Sequence, residues 1–141
     1  MSERVIFARV ARDDEYQLRA EFLAASQQEA NAYRGHMDFR PDPTSSELVC
    51  IAGGAGDTTF GLLSMYEVGS RGWFIDLLYV RPEARGVGIG SAMINVALEI
   101  LRDRDAVRIN AATLPGDRST KNLFERHGLV AQMITVSKTL Q

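Results

Sequence analysis

Short stretches of alternating or continuous hydrophobic residues recur along the chain, and they predict a series of β-strands. Residues 4–10 alternate between apolar and polar positions, which is typical of an opening strand. Similar patterns predict strands at residues 47–52, 58–67, 106–113 and 130–138. Residues 73–80 are apolar on both faces apart from Asp76, so they predict a central strand that is covered on both sides. The glycine-rich residues 53–57 are expected to form the turn of an antiparallel hairpin.

Hydrophobic residues at helical spacing predict helices between these strands. The clearest set predicts a helix that begins at residue 89, and it consists of Ile89, Met93, Ala97, Ile100 and Leu101. Asp13 and Asp14 favour the first turn of an earlier helix, which is followed by a short helical stretch at residues 27–34. Asp117 is suited to cap a last helix, which Gly128 ends.

The size and composition of the chain indicate one globular domain. Its 141 residues match the usual length of a domain, so residues 1–141 are predicted to fold as one unit. The hydrophobic fraction of 45% and the charged fraction of 24% are typical of globular proteins. The single cysteine, Cys50, cannot form a disulfide within the chain and lies in a predicted strand, so we expect a buried thiol and a reducing, cytoplasmic location.

The overall charge argues against two classes of partner. A formal net charge of −2 gives the protein no basic field, which excludes a dedicated nucleic-acid binder. No apolar stretch approaches the ~18 residues that a membrane span requires, so no membrane partner is expected. Any anionic ligand must therefore be bound by a local arrangement of residues.

A glycine-rich segment between the predicted central strand and the following helix has the features of an anion-binding turn. The segment consists of Arg85, Gly86, Val87, Gly88, Ile89, Gly90 and Ser91. Alternate glycines let the backbone approach a ligand, and the free N–H groups and the dipole at the start of a helix favour an anion. Arg85 adds a positive charge that suits bidentate contact with phosphate. We expect a pyrophosphate-binding site here, although an isolated Gly-x-Gly is more often only a tight turn.

The residues around these glycines exclude two common phosphate sites. A nucleoside-triphosphate loop requires Lys followed by Ser or Thr after its last glycine, whereas Gly90 is followed by Ser91 and Ala92. A dinucleotide site requires its first glycine directly after the strand, whereas residues 81–85 intervene here.

Two segments resemble motifs of the GCN5-related N-acetyltransferases. Residues 85–90 match the Arg/Gln-x-x-Gly-x-Gly/Ala motif that binds acyl-CoA, with Arg85, Gly88 and Gly90 at its defined positions. Residues 123–129 resemble the Leu-Tyr-x-x-x-Gly-Phe segment of the same family. The resemblance covers nearly the whole chain and implies an α/β (α+β) fold, with a mixed, largely antiparallel sheet and helices on both faces.

The resemblance also implies how the site is built. Pantetheine would pair with the backbone of Leu78, Tyr79 and Val80, and the Val80 N–H would stabilise the oxyanion of the reacting thioester. Asp76 stands where a carboxylate is proposed as the base in one branch of the family, and burial would help it to hold a proton. Its alternative role is structural, as a carboxylate satisfied by nearby donors.

The acceptor side of the site is less defined in the sequence. By resemblance, the acceptor pocket would involve the first helices and the following loop, with Tyr33 and Phe39 as candidate substrate-binding residues, although either residue can equally pack in the core. Phe124 departs from the family pattern, because many relatives have at this position a tyrosine that protonates the departing thiolate. The histidines, His36 and His127, are isolated from other ligands, so no metal site is expected.

The resemblance thus implies an enzyme that transfers the acetyl group of acetyl-CoA to a primary amine of a small molecule by direct attack, and no metal is expected. A non-catalytic acyl-CoA-binding or regulatory domain and an acetyltransferase of protein amino groups remain alternatives. The strand predicted at residues 130–138 would leave an unpaired edge, so a homodimer through that strand is a further option.

Overall fold

The computed structural model describes residues 5–33 and 40–140. The strands are β1 (Ile6–Val10), β2 (Val49–Ala55), β3 (Thr58–Glu67), β4 (Gly72–Val80) and β5 (Arg108–Ala111). The helices are α1 (Asp13–Tyr16), α2 (Leu18–Ala30), α3 (Ile89–Asp103) and α4 (Arg118–Arg126), and a 3-10 turn spans Pro82–Ala84. No helix in these described ranges is long and apolar enough to cross a membrane.

The strands form one sheet in the order β1-β2-β3-β4-β5. The first four strands pair antiparallel, and only β4 and β5 are parallel. The fold class predicted from the sequence is therefore confirmed.

Each face of the sheet is covered by helix, which divides the core into two layers. On one face, the buried Phe22 of α2 packs with Leu77 and Tyr79 of β4. On the other face, Met93 and Ile94 of α3 are fully buried against strand residues. Side chains of β4 thus enter both layers, as the sequence predicts for a strand that is apolar on both faces.

The glycines after residue 52 do not form the wide turn that the sequence predicts. Gly53 and Gly54 continue β2, and the turn is confined to Gly56 and Asp57. A Cβ on Gly53 would lie 2.6 Å from the Cγ of Met93, so the absence of a side chain lets α3 pack closely on the sheet. These glycines therefore serve helix packing as well as the hairpin.

The first helical region also differs from its prediction. The segment predicted as a separate helix at residues 27–34 begins inside α2, which continues to Ala30. The break falls earlier, between α1 and α2, where Gln17 keeps helical dihedral angles at the junction. Residues 34–39, which include Phe39, lie outside the described residues.

The strand predicted at residues 130–138 is absent. Residues 130–140 have no regular secondary structure and all are exposed, with Met133, Ile134 and Val136 each at least 79% exposed. Their alternating pattern favours a strand, but a strand also needs an edge to pair with, and this segment pairs with none of the five described strands. Pairing between two copies of the chain stays a prediction.

Several local predictions are confirmed. Cys50 is fully buried and unpaired, and burial raises the pKa of its thiol to about 11. Asp117 caps α4, because its carboxylate accepts a hydrogen bond from the Thr120 N–H at 3.2 Å. Gly128 follows the end of α4 with φ of +90°, as a helix C-terminus often requires.

Candidate active site

The candidate site lies where β4 and β5 separate. Their parallel pairing begins at Gly72 with Arg108 and stops at Ile75 with Ala111. Beyond that point β4 continues to Val80 and, within the part of the chain that the structure describes, pairs only with β3. The second half of β4 therefore has a free backbone edge, which is unusual for a strand in the interior of a sheet.

The residues expected to bind pantetheine lie on this half of β4. The Arg81 N–H donates to the Phe60 carbonyl on the β3 side at 2.8 Å. Because backbone groups alternate in direction along a strand, those of Leu78 and Val80 point to the opposite, free edge. Tyr79 directs its side chain into the core, where its ring lies 5.2 Å from that of Phe22. The free edge thus offers the Val80 N–H to a ligand.

The glycine-rich turn leads from this edge into α3. Gly86 and Gly88 have φ of +83° and +99°, a backbone conformation that side chains with a Cβ rarely adopt. The first bond of α3 runs from the Ala92 N–H to the Gly88 carbonyl at 3.0 Å. The N–H groups of residues 89–91 therefore have no partner within the helix.

This turn fits an anionic ligand. Residues 85–88 are exposed, whereas the Ile89 side chain is 2% exposed and fixes the start of α3 to the core. An ordered start with free N–H groups and the helix dipole favours negative charge at that position. The geometry therefore suits a diphosphate.

Gly90 also connects the two segments of the sequence that carry the family resemblance. A Cβ on Gly90 would lie 3.0 Å from a methyl group of Leu123 on α4. The small residue lets α4 approach the first turn of α3. Close packing between these helices thus accounts for a glycine in one segment and a leucine in the other.

Arg85 is engaged by protein groups. Its Nη2 donates to both carboxylate oxygens of Glu29 on α2, at 2.8 and 2.9 Å, and its Nε donates to the Val80 carbonyl at 2.7 Å. The guanidinium also lies 5.3 Å from the centre of the Tyr79 ring. Arg85 is therefore fixed beside the glycine-rich turn, but its phosphate contact stays a prediction, because Glu29 already balances its charge.

Asp76 occupies a β-bulge at the point where β4 leaves β5. Ser64 pairs with Leu77 and the next residue, Met65, pairs with Ile75, so Asp76 is the extra residue on β4. The bulge turns the Asp76 side chain toward the α2 face, where it is 2% exposed. A lone charge in an apolar strand is thus buried beside the free edge.

The Asp76 carboxylate has partners on both of its oxygens. Oδ1 accepts a hydrogen bond from the Ser64 hydroxyl. Oδ2 accepts from Arg19 of α2 and, at 3.4 Å, from Nη1 of Arg40. The same Arg40 nitrogen lies 3.2 Å from the Asp76 backbone carbonyl, and Arg19 Nε donates to Ser64 at 3.1 Å. Arg19 and Ser64 were not predicted as site residues, since no local pattern marks them as partners of Asp76.

An open cavity of about 380 Å³ lies beside this cluster. Arg19, Arg40 and Tyr66 line it together with the loop that precedes β2. The Tyr66 hydroxyl donates to the Pro41 carbonyl at 2.8 Å, and burial raises its pKa, so it stays a hydrogen-bond donor at neutral pH. The cavity is thus a small pocket beside Asp76, with charged groups set among apolar lining residues.

Of the two candidate substrate-binding residues, the structure describes only Tyr33. Tyr33 is 38% exposed at the end of α2, and its ring lies 3.6 Å from the position that a Cβ on Gly116 would take. It therefore lies where α2 meets the loop after β5, outside the lining of the cavity. Its role in substrate binding stays a prediction.

Two residues of the α4 region, Phe124 and His127, make contacts with the rest of the protein. Phe124 is 6% exposed and belongs to the core layer beneath α3, so its ring serves packing. The Nε2 atom of His127 lies 2.6 Å from the Ser91 hydroxyl oxygen, which links the end of α4 to the first turn of α3. Burial lowers the pKa of His127 and favours its neutral form. The bond to Ser91 was not predicted.

Comparison with known families shows which family the chain is similar to. The model of the acetyltransferase (GNAT) family matches residues 12–129, which include β4, the glycine-rich turn and α4. The sequence matches none of the curated proteins at a meaningful level.

Solved structures share the fold at low sequence identity. A ribosomal-protein-alanine N-acetyltransferase from Brucella melitensis biovar Abortus 2308 has a TM-score of 0.68 and 15% identity, with 97% of this chain and 100% of that chain covered. An aminoglycoside acetyltransferase from an uncultured soil metagenomic sample has a TM-score of 0.70 and 11% identity, covering 96% and 97% of the two chains. AAC(6')-Iy, bound to the bisubstrate analogue CoA-S-monomethyl-acetylneamine, has a TM-score of 0.68 and 11% identity over 97% of this chain and 99% of that chain.

Proposed function

Because the chain belongs to the acetyltransferase (GNAT) family, we propose that it transfers the acetyl group of acetyl-CoA to the primary amine of a small molecule. The observation that supports this most is the free edge of β4 leading directly into an exposed helix start with unpaired N–H groups. An extended ligand with a diphosphate at one end needs both features in this order.

In this proposal backbone groups make most of the contacts with acetyl-CoA. The N–H groups at the start of α3 bind the diphosphate, and Gly86 and Gly88 let the ligand approach closely. The edge of β4 at residues 78–80 hydrogen-bonds the pantetheine as an added strand would. The thioester then lies along this edge, between the Val80 N–H and the bulge at Asp76.

The reaction is a direct attack of the amine on the thioester carbonyl. An alkylammonium ion with a pKa of about 10.4 has no free electron pair, so the acceptor must lose a proton before it attacks. The Val80 N–H is suited to stabilise the negative charge that develops on the carbonyl oxygen. The thiolate of CoA leaves without a tyrosine donor from α4, because Phe124 occupies that position.

Asp76 has two candidate roles in this reaction. As the predicted base, it takes the amine proton, but its Oδ2 must then exchange the long Arg40 contact of 3.4 Å for the incoming amine. As a positioning residue, it instead holds Arg19 and Arg40 beside the cavity. The Asp76→Asn variant distinguishes these roles: loss of a base lowers kcat and removes its pH dependence, whereas loss of an anchor raises KM for the acceptor.

A small molecule is favoured as acceptor by the size of the cavity. Its volume of about 380 Å³ is near the lower end of the ~300–1,000 Å³ typical of small-molecule sites. Among the structural neighbours, one is described as acting on a ribosomal protein and others as aminoglycoside acetyltransferases. The neighbours therefore leave the acceptor class open, and the cavity is the feature that favours a small amine.

The proposal is tested by measuring thiol release from acetyl-CoA with a panel of primary amines, alongside calorimetry of acetyl-CoA binding. We expect micromolar to millimolar binding and turnover on some small amines. Binding with no turnover on any amine or on protein lysines would instead identify a non-catalytic acyl-CoA-binding domain.

A further inference from the structure

Two arginines, Arg19 and Arg40, lie on the inner wall of the cavity beside Asp76. Arg19 and Arg40 both contact a single carboxylate, that of Asp76, so this cluster keeps one formal positive charge. The carboxylate is 2% exposed, whereas the Arg19 and Arg40 side chains are 27% and 33% exposed. The surplus charge is therefore on the groups that face the cavity.

Both guanidinium groups have donors to spare. Arg19 uses Nε for Ser64 and Nη2 for Asp76, and Arg40 uses only Nη1. Each guanidinium carries five N–H donors, which is more than these bonds use. Among the described residues, Arg19 Nη1 and Arg40 Nε and Nη2 have no protein partner. Donors in this planar, forked arrangement match the two oxygens of a carboxylate.

Two acidic residues also line the cavity, and neither forms an ion pair with Arg19 or Arg40 among the described residues. Glu47 is bound by Arg104 through two hydrogen bonds of 2.6 and 3.0 Å. Asp42 is exposed and forms no ion pair with Arg19 or Arg40 in the part of the chain that the structure describes. The arginine pair thus remains available to an anion that enters the cavity.

The position of Arg40 relates this anion site to the reaction. Its Nη1 contacts the backbone carbonyl of Asp76, which is the first residue of β4 beyond the last pair with β5. An anion held there lies at one end of the free edge along which the thioester is proposed to lie. A molecule anchored by this group can direct an amine a few ångströms away toward that edge.

We propose that the acceptor is an amine that also carries a carboxylate, of the size of an amino acid, and that Arg19 and Arg40 bind this carboxylate. Asp76 and Ser64 act as positioning residues that hold Arg19 in the cavity wall. This inference rests on the proposed acetyltransferase function. It adds the class of acceptor and the residues that select it.

The test compares matched acceptors with wild-type protein and with the Arg40→Gln variant. Each amino acid in the panel is paired with its own amide, which keeps the amine and removes the negative charge. We expect wild type to prefer the acids, and Arg40→Gln to raise KM for the acids by about 10- to 150-fold, from ~1.5–3 kcal/mol for a charge-assisted bond. KM for the amides should rise much less than KM for the acids, and the affinity for acetyl-CoA should not change. Arg108→Gln, which removes an exposed arginine outside the cavity lining, is the control for the change in charge and should behave as wild type.

The possible outcomes separate this inference from the proposed function. Turnover that is equal on acids and amides, or better on amides, would overturn the anion site and leave the acetyltransferase function standing. If acetyl-CoA binds but no amine is turned over, the enzymatic proposal fails. Calorimetry with the same amino acids in the presence of CoA then decides the anion site: heat of binding that Arg40→Gln removes supports it, and no binding refutes it.

Discussion

Replacing Gly88 by alanine tests the binding of the diphosphate with little disturbance elsewhere. Gly88 has φ of +99°, and the nearest atom to an added Cβ is a methyl group of Ile6 at 3.8 Å, an ordinary contact distance. The substitution is therefore strained by the backbone angle and not by a clash. Holding an L-residue in the left-handed region costs about 1–2 kcal/mol, so the fold should survive.

The effect on acetyl-CoA follows from how the strain is relieved. If residue 88 relaxes toward negative φ, the N–H groups that follow it turn away from the ligand. Loss of one charge-assisted hydrogen bond, worth ~1.5–3 kcal/mol, weakens binding by about 10- to 150-fold. Gly88→Glu, which adds a negative charge at the same place, should abolish binding.

Gly128 provides a matched control for this experiment. It has φ of +90°, and nothing lies within 4 Å of a Cβ built on it. Gly128→Ala should therefore lower the free energy of unfolding by a similar ~1–2 kcal/mol without changing the affinity for acetyl-CoA. Calorimetry and urea unfolding of both variants give the two quantities. Equal affinities for Gly88→Ala and wild type would refute the assignment of this turn as the diphosphate site.

Two further predictions concern stability. Hydrogen bonds from Arg9 hold the pKa of the buried Glu15 at about 2, below its usual 4.5, so its stabilisation is present above pH 4.5 and is lost as the pH falls toward 2. This ionisation contributes at most ~3 kcal/mol to the free energy of unfolding, because Arg9 is one-third exposed to solvent. Urea unfolding between pH 2 and 7 should therefore show a flatter pH dependence for Glu15→Gln than for wild type. An unchanged curve would contradict this. Phe124→Tyr places a hydroxyl in the buried layer beneath α3 and should lower the free energy of unfolding by about 1–3 kcal/mol in the same assay. Unaltered stability would mean that the new hydroxyl finds a polar partner.

Features that depend on neighbours in sequence were predictable. The span of β3 at residues 58–67, the start of α3 at Ile89 and the cap at Asp117 all agree with the structure. Each of them follows from a local signal, such as alternation, helical spacing or a capping side chain. The glycine-rich turn also belongs to this group, because its residues are consecutive.

Features that depend on distant contacts were not predictable in the same way. Asp76 stands out as the only charge in its strand, but its partners Arg19 and Arg40 are 57 and 36 residues away. The bulge that turns its side chain toward α2 depends on the register between β3 and β4, which no local pattern shows. The bond between Ser91 and His127 similarly joins residues 36 positions apart.

Two predicted elements show that a pattern alone does not determine structure. Residues 130–138 alternate as a strand would, yet a strand forms only when another edge accepts its hydrogen bonds. Gly53 and Gly54 have the composition of a turn, but the close approach of Met93 explains why glycine is needed within the strand. In both cases the tertiary environment decides between alternatives that the local sequence leaves open.

A crystal structure of the protein with acetyl-CoA would show whether the glycine-rich turn and the edge of β4 bind this ligand. We expect diphosphate oxygens within hydrogen-bonding distance of the backbone N–H groups of residues 89–91, and pantetheine alongside residues 78–80 of β4. Acetyl-CoA bound anywhere else on the protein, or a start of α3 filled by the protein's own side chains in that complex, would contradict it.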